Sequence, residues 1–372
     1  MNEKDTAAYI SLNMAFIGFK TLEKLLEVFK TPENILKQKA NHLKTVEGVG
    51  EEKAERITSL ANGIQAKAEI EKAKKLGVEI LTLEKENYPS ILKQIYDPPI
   101  ILYARGNFRE SDKNSIAIIG SRRTSVQGRL NAQKFAYEIA ASGWTIVSGL
   151  ARGIDTAAHM GALRSHGRTI AVLGSGIDVM YPAENKELAD NISKNGVLLS
   201  EFPFGTQPLR ENFPRRNRIV SGLSKAIVVV EASEKSGALI TAGFALEQGR
   251  EVFVIPGDVS IPTTRGSHLL LKDGANLALT PDDILAETEK EEIREPKISE
   301  VLQPKDKKEK KIKSELNKEQ NELLKIMNNE PMHIDEIKEL SNLGLQELNK
   351  LLLKLEICGS IKQFPGKKFS KQ

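Results

Sequence analysis

The amino-acid sequence predicts an α/β fold with a doubly wound, mostly parallel sheet, a small all-helical domain before it and a winged-helix domain after it. Short apolar runs alternate with helical stretches between residues 66 and 285, and several runs are nearly continuous Val, Ile and Leu, as in strands buried on both faces. Most of the 27 glycines lie in this part, clustered after the runs. Ligands bind at that edge of such sheets, so we expect the functional site there.

Composition limits the choice of protein class. The 372 residues suffice for two or three domains, and the formal net charge of +4 is too small to identify a partner. The single cysteine, Cys358, excludes an intramolecular disulfide and a cysteine-based zinc finger, and fits a reducing cytosol. The first residues include acids and no long apolar run. We therefore expect a cytoplasmic protein without a signal peptide or membrane insertion.

Residues 1–65 are predicted to be helical only, because large apolar residues recur there at helical spacing: Leu22, Leu25, Leu26 and Phe29. Within this domain, residues 45–57 resemble a helix-hairpin-helix turn, whose glycines expose N–H groups that can meet a DNA phosphate. Val46 stands where proline is usual, and Glu47 would repel a phosphate. A module that packs against the protein or recruits partners is the favoured alternative.

The central domain, residues 66–285, is predicted to contain the parallel sheet. Six segments qualify as its strands: Ser115–Ile119, Thr145–Val147, Thr169–Leu173, Gly196–Ser200, Ala226–Val230 and Glu251–Ile255.

The last two segments are a linker and a small domain. Residues 286–315 hold many charges and two prolines, typical of a flexible linker whose lysine run is solvated or touches nucleic acid weakly. Residues 316–372 have the order helix, short edge, two helices and hairpin, which predicts a winged helix. The apolar positions of its third helix (345–357) are Leu345, Leu348, Leu351, Leu352 and Leu355. The mixed charges of that helix favour protein interaction or regulation at least as much as DNA recognition.

The segment Pro208–Lys225 concentrates positive charge within the central domain. It holds Arg210, Arg215, Arg216, Arg218 and Lys225 against one acid, Glu211. Basic side chains held on a rigid scaffold bind a phosphate backbone, so we expect this segment to line a groove for a long polyanion.

Turns after the predicted strands supply glycines, hydroxyls, N–H groups and basic side chains, which together can hold phosphates. Lys235, Ser236 and Gly237 precede a helix start and form a cradle at its N-terminus. The predicted contacts in the other turns are Gly120, Ser121, Arg122, Arg123, Gly149, Arg152, Gly153, Gly174 and Gly176. Asp155 and His159 share a helix face, as a metal pair can, but a helix cap and a structural histidine are favoured because no third ligand is near. No metal site is therefore expected.

No catalytic machinery is recognisable in the sequence. The turn Gly174–Val179 lacks the third glycine of the dinucleotide fingerprint, so no nicotinamide cofactor is expected, and the phosphate-loop and hydrolase motifs are absent. Glu231 could serve as an acid, but no nucleophile or second carboxylate accompanies it. We expect no enzyme, no catalytic residue and no cofactor.

An ordered series of segments over residues 88–277 resembles the DNA-processing protein A family (DprA, also called Smf). The segments are YPSILKQIYDPPIILYARG, IAIIGSRR, VSGLARGIDTAAH, GSGIDVMYP, FPRRNRIVSGLS, VEASEKSGALITAGFALEQGREVFVIPGD and RGSHLLLKDGA. The resemblance implies a Rossmann-like fold that binds single-stranded DNA, usually as a homodimer, and loads the RecA recombinase during natural transformation. It places Arg122 and Lys235 in the family's DNA-contacting pocket, with Gly120, Ser121, Ser236 and Gly237 around them.

The basic segment Pro208–Lys225 matches the family's Arg-Arg-Asn-Arg stretch at Arg215, Arg216, Asn217 and Arg218. Asn217 and Arg218 could equally brace the sheet through hydrogen bonds. Aromatic residues make up only 5% of the chain, so base stacking should be limited to a few rings such as Phe213 or Tyr181. With roughly five or six phosphate contacts, the log–log salt slope would be about −4.

Two other functions stay open at this point. Rossmann-like relatives with glycine-rich turns cleave nucleotide-derived small molecules, although they usually carry a Pro-Gly-Gly-x-Gly-Thr turn where this chain has SEKSGALIT. The third possibility is a recruitment scaffold whose winged helix binds the partner.

Overall fold

The computed structural model describes residues 3–294 and parts of the C-terminal segment: 323–327, 332–341, 344, 348, 351, 352, 355, 361–364 and 368–371. The chain divides into two compact units, Met1–Pro296 and Lys297–Gln372. Across the described residues, no helix combines the length and the apolar character needed to span a membrane.

The first unit begins with helices, as the sequence predicts. Local signals set their ends: Thr31 accepts a hydrogen bond from the Asn34 N–H and precedes Pro32 at the first helical position, while Gly77 ends the last helix in the left-handed conformation. The helices are α1 (Glu3–Met14), α2 (Phe19–Phe29), α3 (Pro32–Leu36), α4 (Ala40–Leu43), α5 (Glu51–Ser59) and α6 (Ile64–Leu76).

The six predicted strands are confirmed to within a residue at each end, and three more flank them. The nine strands of this unit are β1 (Glu79–Thr82), β2 (Ile101–Gly106), β3 (Ser115–Ile119), β4 (Thr145–Ser148), β5 (Thr169–Val172), β6 (Val197–Ser200), β7 (Ala226–Val229), β8 (Glu251–Val254) and β9 (Asn276–Leu277). They form one sheet in the order β1-β2-β6-β5-β4-β3-β7-β8-β9, in which only the β1–β2 and β2–β6 pairs are antiparallel.

The connection order creates a switch point in the middle of the sheet. From β3 the chain winds outward through β4, β5 and β6, then returns to the other side of β3 with β7. The turns that follow β3 and β7 therefore leave the sheet side by side at its carboxyl edge. Ligands of open α/β sheets bind in such a crevice, which agrees with the site expected from the glycine pattern.

Helices cover both faces of the sheet, so this unit is the predicted doubly wound α/β structure. These helices are α7 (Ser90–Lys93), α8 (Val126–Ala141), α9 (Ile154–Arg164), α10 (Lys186–Asn195), α11 (Asn212–Gly222), α12 (Gly237–Glu247), α13 (Arg265–Lys272) and α14 (Pro281–Arg294). Alternate residues of one strand belong to different cores: Ala117 packs with α11 and α12, whereas Ile116 packs with α8 and α9. Leu22 and Leu25 of α2 share a core with Tyr103 of β2, so the helical module is packed on the sheet.

Two predicted boundaries fall within elements. Helix α6 crosses the boundary predicted near residue 65, and α14 continues to Arg294, into the segment predicted to be linker. The remainder of that linker, 295–315, lies outside the described residues. The domain limits themselves stay a prediction.

The second unit has the elements of a winged helix. A three-stranded sheet orders β10 (Met332–His333), β12 (Lys368–Lys371) and β11 (Ile361–Phe364), with α15 (Ile334–Ser341) beside it. Its core includes Leu348, Leu351, Leu352 and Leu355, four of the five apolar positions predicted for the third helix. Leu345 and the charged residues of that helix lie outside the described residues.

Candidate nucleic-acid interface

The turns after β3 and β7 are joined by Glu231, which lies two residues beyond the end of β7. Its backbone oxygen accepts a hydrogen bond from the Ser121 N–H at 2.6 Å. Its buried carboxylate accepts hydrogen bonds from the Ser125 N–H at 3.0 Å and from the hydroxyls of Thr124 and Thr263. These bonds fix the turn that carries Arg122 and Arg123 against the switch point.

The same bonds define the chemistry of Glu231. Burial works to raise the pKa of this carboxyl, but the hydrogen bonds from Thr124, Thr263 and Ser125 outweigh it and lower the pKa below the ordinary value. A general acid needs the opposite shift near neutral pH. The carboxylate is thus an ionised anchor, and its geometry supports the scaffold role over the catalytic one.

An exposed cation and two partly exposed aromatic rings lie together at the site. The Arg122 guanidinium lies over the ring of Phe213, 4.7 Å from its centroid, and the ring of Tyr181 is 5.7 Å from that of Phe213. Gly174 lies behind them, and only glycine fits there, because a β-carbon would lie 2.9 Å from the Phe213 ring. In this arrangement Arg122 can pair with a phosphate while an aromatic ring stacks on a base of the same strand.

Lys235, Ser236 and Gly237 stand at the N-terminus of α12, as predicted. The Ser236 hydroxyl caps the helix by accepting a hydrogen bond from the Ala238 N–H at 3.2 Å, and Lys235 is exposed. Asn217 of α11 donates to the Gly237 backbone oxygen at 3.4 Å, so α11 is tied to this terminus. The positive end of the helix and Lys235 can attract an anion together.

Arg216 does not reach the surface. It is 4% exposed, and its guanidinium donates to the backbone oxygens of Gly149, at 2.5 Å, and of Val172. Burial lowers its pKa to about 10 even though Asp155 favours the charged form. Arg216 joins the carboxyl ends of β4 and β5, and this geometry supports a scaffold role for it over the predicted DNA contact.

Arg218 is likewise an internal residue. It is 7% exposed and pairs with Glu201 at 2.8 Å and with Asp97 at 3.1 Å. Of the two roles predicted for it, the geometry supports the scaffold. Arg215 is half-buried, lies 3.2 Å from Glu201 and stands over the Phe202 ring, which leaves part of its guanidinium at the surface.

The sequence suggests that the segment Pro208–Lys225 presents its charges on one surface. In the structure these charges face several different surroundings. Most of it is α11, whose buried face takes Arg216 and Arg218. Lys225 lies beyond the helix, over the ring of Trp144 at the opposite edge of the sheet. Arg152, in the turn after β4, is exposed but held by two hydrogen bonds to Glu184, at 2.6 and 2.7 Å.

Several glycines of the turns allow protein atoms, not phosphates, to approach. A β-carbon at Gly149 would lie 2.4 Å from the Arg216 guanidinium, and one at Gly153, where φ is 82°, would lie 2.3 Å from the Ser121 backbone oxygen. Gly120 and Gly176 are crowded by protein in the same way, whereas Gly237 has open space beside it. These glycines let the turns pack against one another.

Asp155 and His159 do not form a metal pair. The Asp155 carboxylate accepts a hydrogen bond from the Ala151 N–H, and the buried His159 ring bonds to the Thr169 hydroxyl at 2.7 Å. Burial, then the nearby Arg216, lowers the pKa of His159 to about 3. Among the described residues, no group of three or more potential ligands stands together as a metal site.

Two exposed cations beside the site are absent from the predicted set. Arg265 begins α13, where the next residue, Gly266, packs against the Ser233 backbone. Arg129 on α8 reaches back to the Thr124 backbone oxygen at 3.3 Å. Whether these two arginines can contact a ligand depends on their closeness to the turns in the folded chain, which the sequence does not reveal. The RGSHLLL motif, which contains Arg265, is the only sequence feature that could have pointed to either of them.

Comparisons with protein families cover most of the chain. Residues 79–289 match the family model of DNA recombination-mediator protein A. Residues 307–367 match the DprA winged helix domain, and residues 12–61 match the SAM-like helix-hairpin-helix tandem.

Individual relatives agree with these matches. The chain is 33% identical to Protein Smf of Synechocystis sp. over 96% of both chains. The X-ray structure of DNA processing protein A from Streptococcus pneumoniae matches 75% of this chain and 97% of that chain, with 36% identity and a TM-score of 0.67. DNA processing protein A from Helicobacter pylori, which binds single-stranded DNA, matches 57% of this chain and 97% of that chain, with 31% identity and a TM-score of 0.52.

Proposed function

This chain belongs to the family of DNA recombination-mediator protein A, and on that premise we propose that it binds single-stranded DNA at the carboxyl edge of its sheet. The observation that carries the proposal is the Arg122 guanidinium stacked over the Phe213 ring beside the switch point. The binding residues are Arg122, Arg123 and Lys235, with Ser121, Ser236, Gly237 and Asn217 around them. Arg215 and Arg152 contribute at the rim, where each is partly held by an acid.

The biological role we propose is to protect incoming single strands and deliver them to the RecA recombinase during natural transformation, in the cytoplasm and as a homodimer. The family's description as a recombination mediator supports this role. Its activity is binding, not catalysis, since Glu231 is engaged as an ionised anchor.

Fluorescence anisotropy of a labelled poly-dT strand tests the proposal. We expect salt-sensitive binding by the wild type and its loss in the double variant Arg122→Ala with Lys235→Ala. Unchanged binding by that variant would move the site elsewhere. Turnover of nucleoside monophosphates that Glu231→Gln abolishes would instead identify a hydrolase.

A further inference from the structure

A second group of exposed rings and cations lies outside the interface described above. Tyr96 is 79% exposed and Phe16 is 58% exposed. The Lys20 ammonium lies 4.9 Å from the Tyr96 ring centroid, and the Arg56 guanidinium lies 5.3 Å from that of Phe16. We call these four residues the aromatic patch.

The backbone holds one of these rings in an unusual position. Phe16 has φ 56°, a left-handed conformation that costs free energy for a residue with a bulky side chain. Burial of the ring does not offset that cost, because most of it faces solvent. This conformation belongs to the end of α1, where the Phe16 N–H donates to the Asn13 backbone oxygen at 3.0 Å and the Ile17 N–H to that of Leu12 at 3.1 Å, so the exposed ring is held at a fixed position.

Ion pairs connect the aromatic patch to the proposed interface. Asp97, next to Tyr96, accepts a hydrogen bond from the Phe19 N–H at 3.3 Å and pairs with Arg218 at 3.1 Å. Arg218 follows Phe213 by five residues in α11, a separation of about 7.5 Å along the helix axis. Arg215, which is partly exposed, follows Phe213 by two residues and shares Glu201 with Arg218.

The charges of the aromatic patch favour contact with bases over contact with phosphates. Lys20 is paired with Glu23 at 3.2 Å, and Arg56 is paired with Glu52. Its cations are therefore balanced by acids, and attraction to a phosphate backbone is weak. An exposed ring accepts any base by stacking, without a need for net positive charge.

We propose that the aromatic patch is a second contact for the same single strand, in which bases beyond the primary interface stack on Tyr96 and Phe16. This inference rests on the proposed function, because it extends the path of the bound strand from Phe213 past Arg215. The aromatic patch then determines by how much the affinity for a long strand exceeds the affinity for a short one.

Binding of dT strands of about 6 and about 30 nucleotides tests the inference on the full chain. The test variant combines Tyr96→Ala with Phe16→Gly, a residue that suits the left-handed backbone. The control is Tyr137→Ala, which removes another exposed tyrosine, on α8. We expect the test variant to bind the long strand about tenfold more weakly, to bind the short strand like the wild type, and to keep the salt slope.

The possible outcomes distinguish a failure of this inference from a failure of the proposed function, single-strand binding at the primary interface. Long-strand affinity equal to that of the control would overturn the second contact while leaving the primary interface intact. A wild type that binds neither strand would overturn the proposed function itself. Photocrosslinking with 5-iododeoxyuridine gives an independent measure: adducts at Tyr96 on the long strand alone support the path, and their absence alongside adducts at Phe213 opposes it.

Discussion

The Arg122 guanidinium and the Phe213 ring stack on each other, 4.7 Å from charge centre to ring centroid. Within the part of the chain that the structure describes, no acid pairs with Arg122, unlike Arg152 and Arg215. The ring limits the motion of the guanidinium without neutralising it. A cation held in this way loses less conformational entropy when a phosphate binds.

Replacing Arg122 by alanine should weaken single-strand binding about 10- to 100-fold, because a charge-assisted hydrogen bond contributes about 1.5–3 kcal/mol. Arg122→Lys should recover part of the loss through its charge. Anisotropy titration measures both. Arg164→Ala is the control, since that arginine is exposed at the far end of α9. Equal effects of the two alanine variants would refute a special position for Arg122.

Removing the ring partner should have a different signature. Phe213→Ala eliminates base stacking, worth about 1–3 kcal/mol, and should weaken binding by about tenfold without changing the salt slope. Titrations at several salt concentrations separate this effect from that of Arg122→Ala, which should make the slope shallower by about 0.7. A Phe213→Ala variant with wild-type affinity would show that the ring contributes neither base stacking nor the positioning of Arg122.

Burial of Arg216 and Arg218 changes the expected salt dependence of the wild type. Arg122, Arg123 and Lys235 are exposed and pair with no acid among the described residues, so together with a partial share from Arg215 they predict a log–log slope of about −2 to −3 on a single strand. The value of about −4 expected from sequence counts cations that the fold encloses. A salt series with poly-dT measures the slope, and a value near zero would contradict phosphate binding altogether.

The sequence was sufficient to predict six of the seven parallel strands of the first unit, and the two-residue β9 was missed. Runs such as Ser115–Ile119 are apolar because both faces are buried, and this property is local. Strands Glu79–Thr82 and Ile101–Gly106 were missed, since they lie at the antiparallel margin, outside the regular strand–turn–helix alternation.

The roles of individual arginines could not be predicted in the same way. Arg215, Arg216 and Arg218 are near neighbours in the sequence, yet helical geometry turns Arg216 toward the ends of β4 and β5 and the other two toward Glu201. Gly149 shows the cause: its missing side chain opens the space that the Arg216 guanidinium fills, and the two residues are 67 positions apart. Such pairing becomes visible only when the strands are assembled.

The ion pair between Arg218 and Glu201 should matter for stability. Glu201→Gln leaves a buried guanidinium without its main counter-charge, and we expect a loss of about 3–5 kcal/mol in the free energy of unfolding. Asp190→Asn is the control, because its pair with Arg105 is far more exposed and worth about 0–1 kcal/mol. Urea unfolding measures both changes, and similar losses would contradict the structural importance of the buried pair.

His159 should make the stability of the first unit depend on pH. Its folded pKa is about 3 because the ring is buried, whereas an unfolded histidine titrates near pH 6.5. Between these values the unfolded chain binds the extra proton, so stability falls as the pH drops below about 6.5. From pH 7.5 to 5.5 this residue should cost about 1.4 kcal/mol of unfolding free energy.

The measurement is urea unfolding at both pH values for the wild type and for His159→Gln. Loss of the hydrogen bond to Thr169 lowers the stability of the variant at both pH values alike, so the difference between the two pH values isolates the titration of the ring. The variant should show a smaller drop than the wild type. An equal loss of unfolding free energy in both proteins would mean that the ring is protonated in the folded state. That result would contradict the burial of His159 away from water.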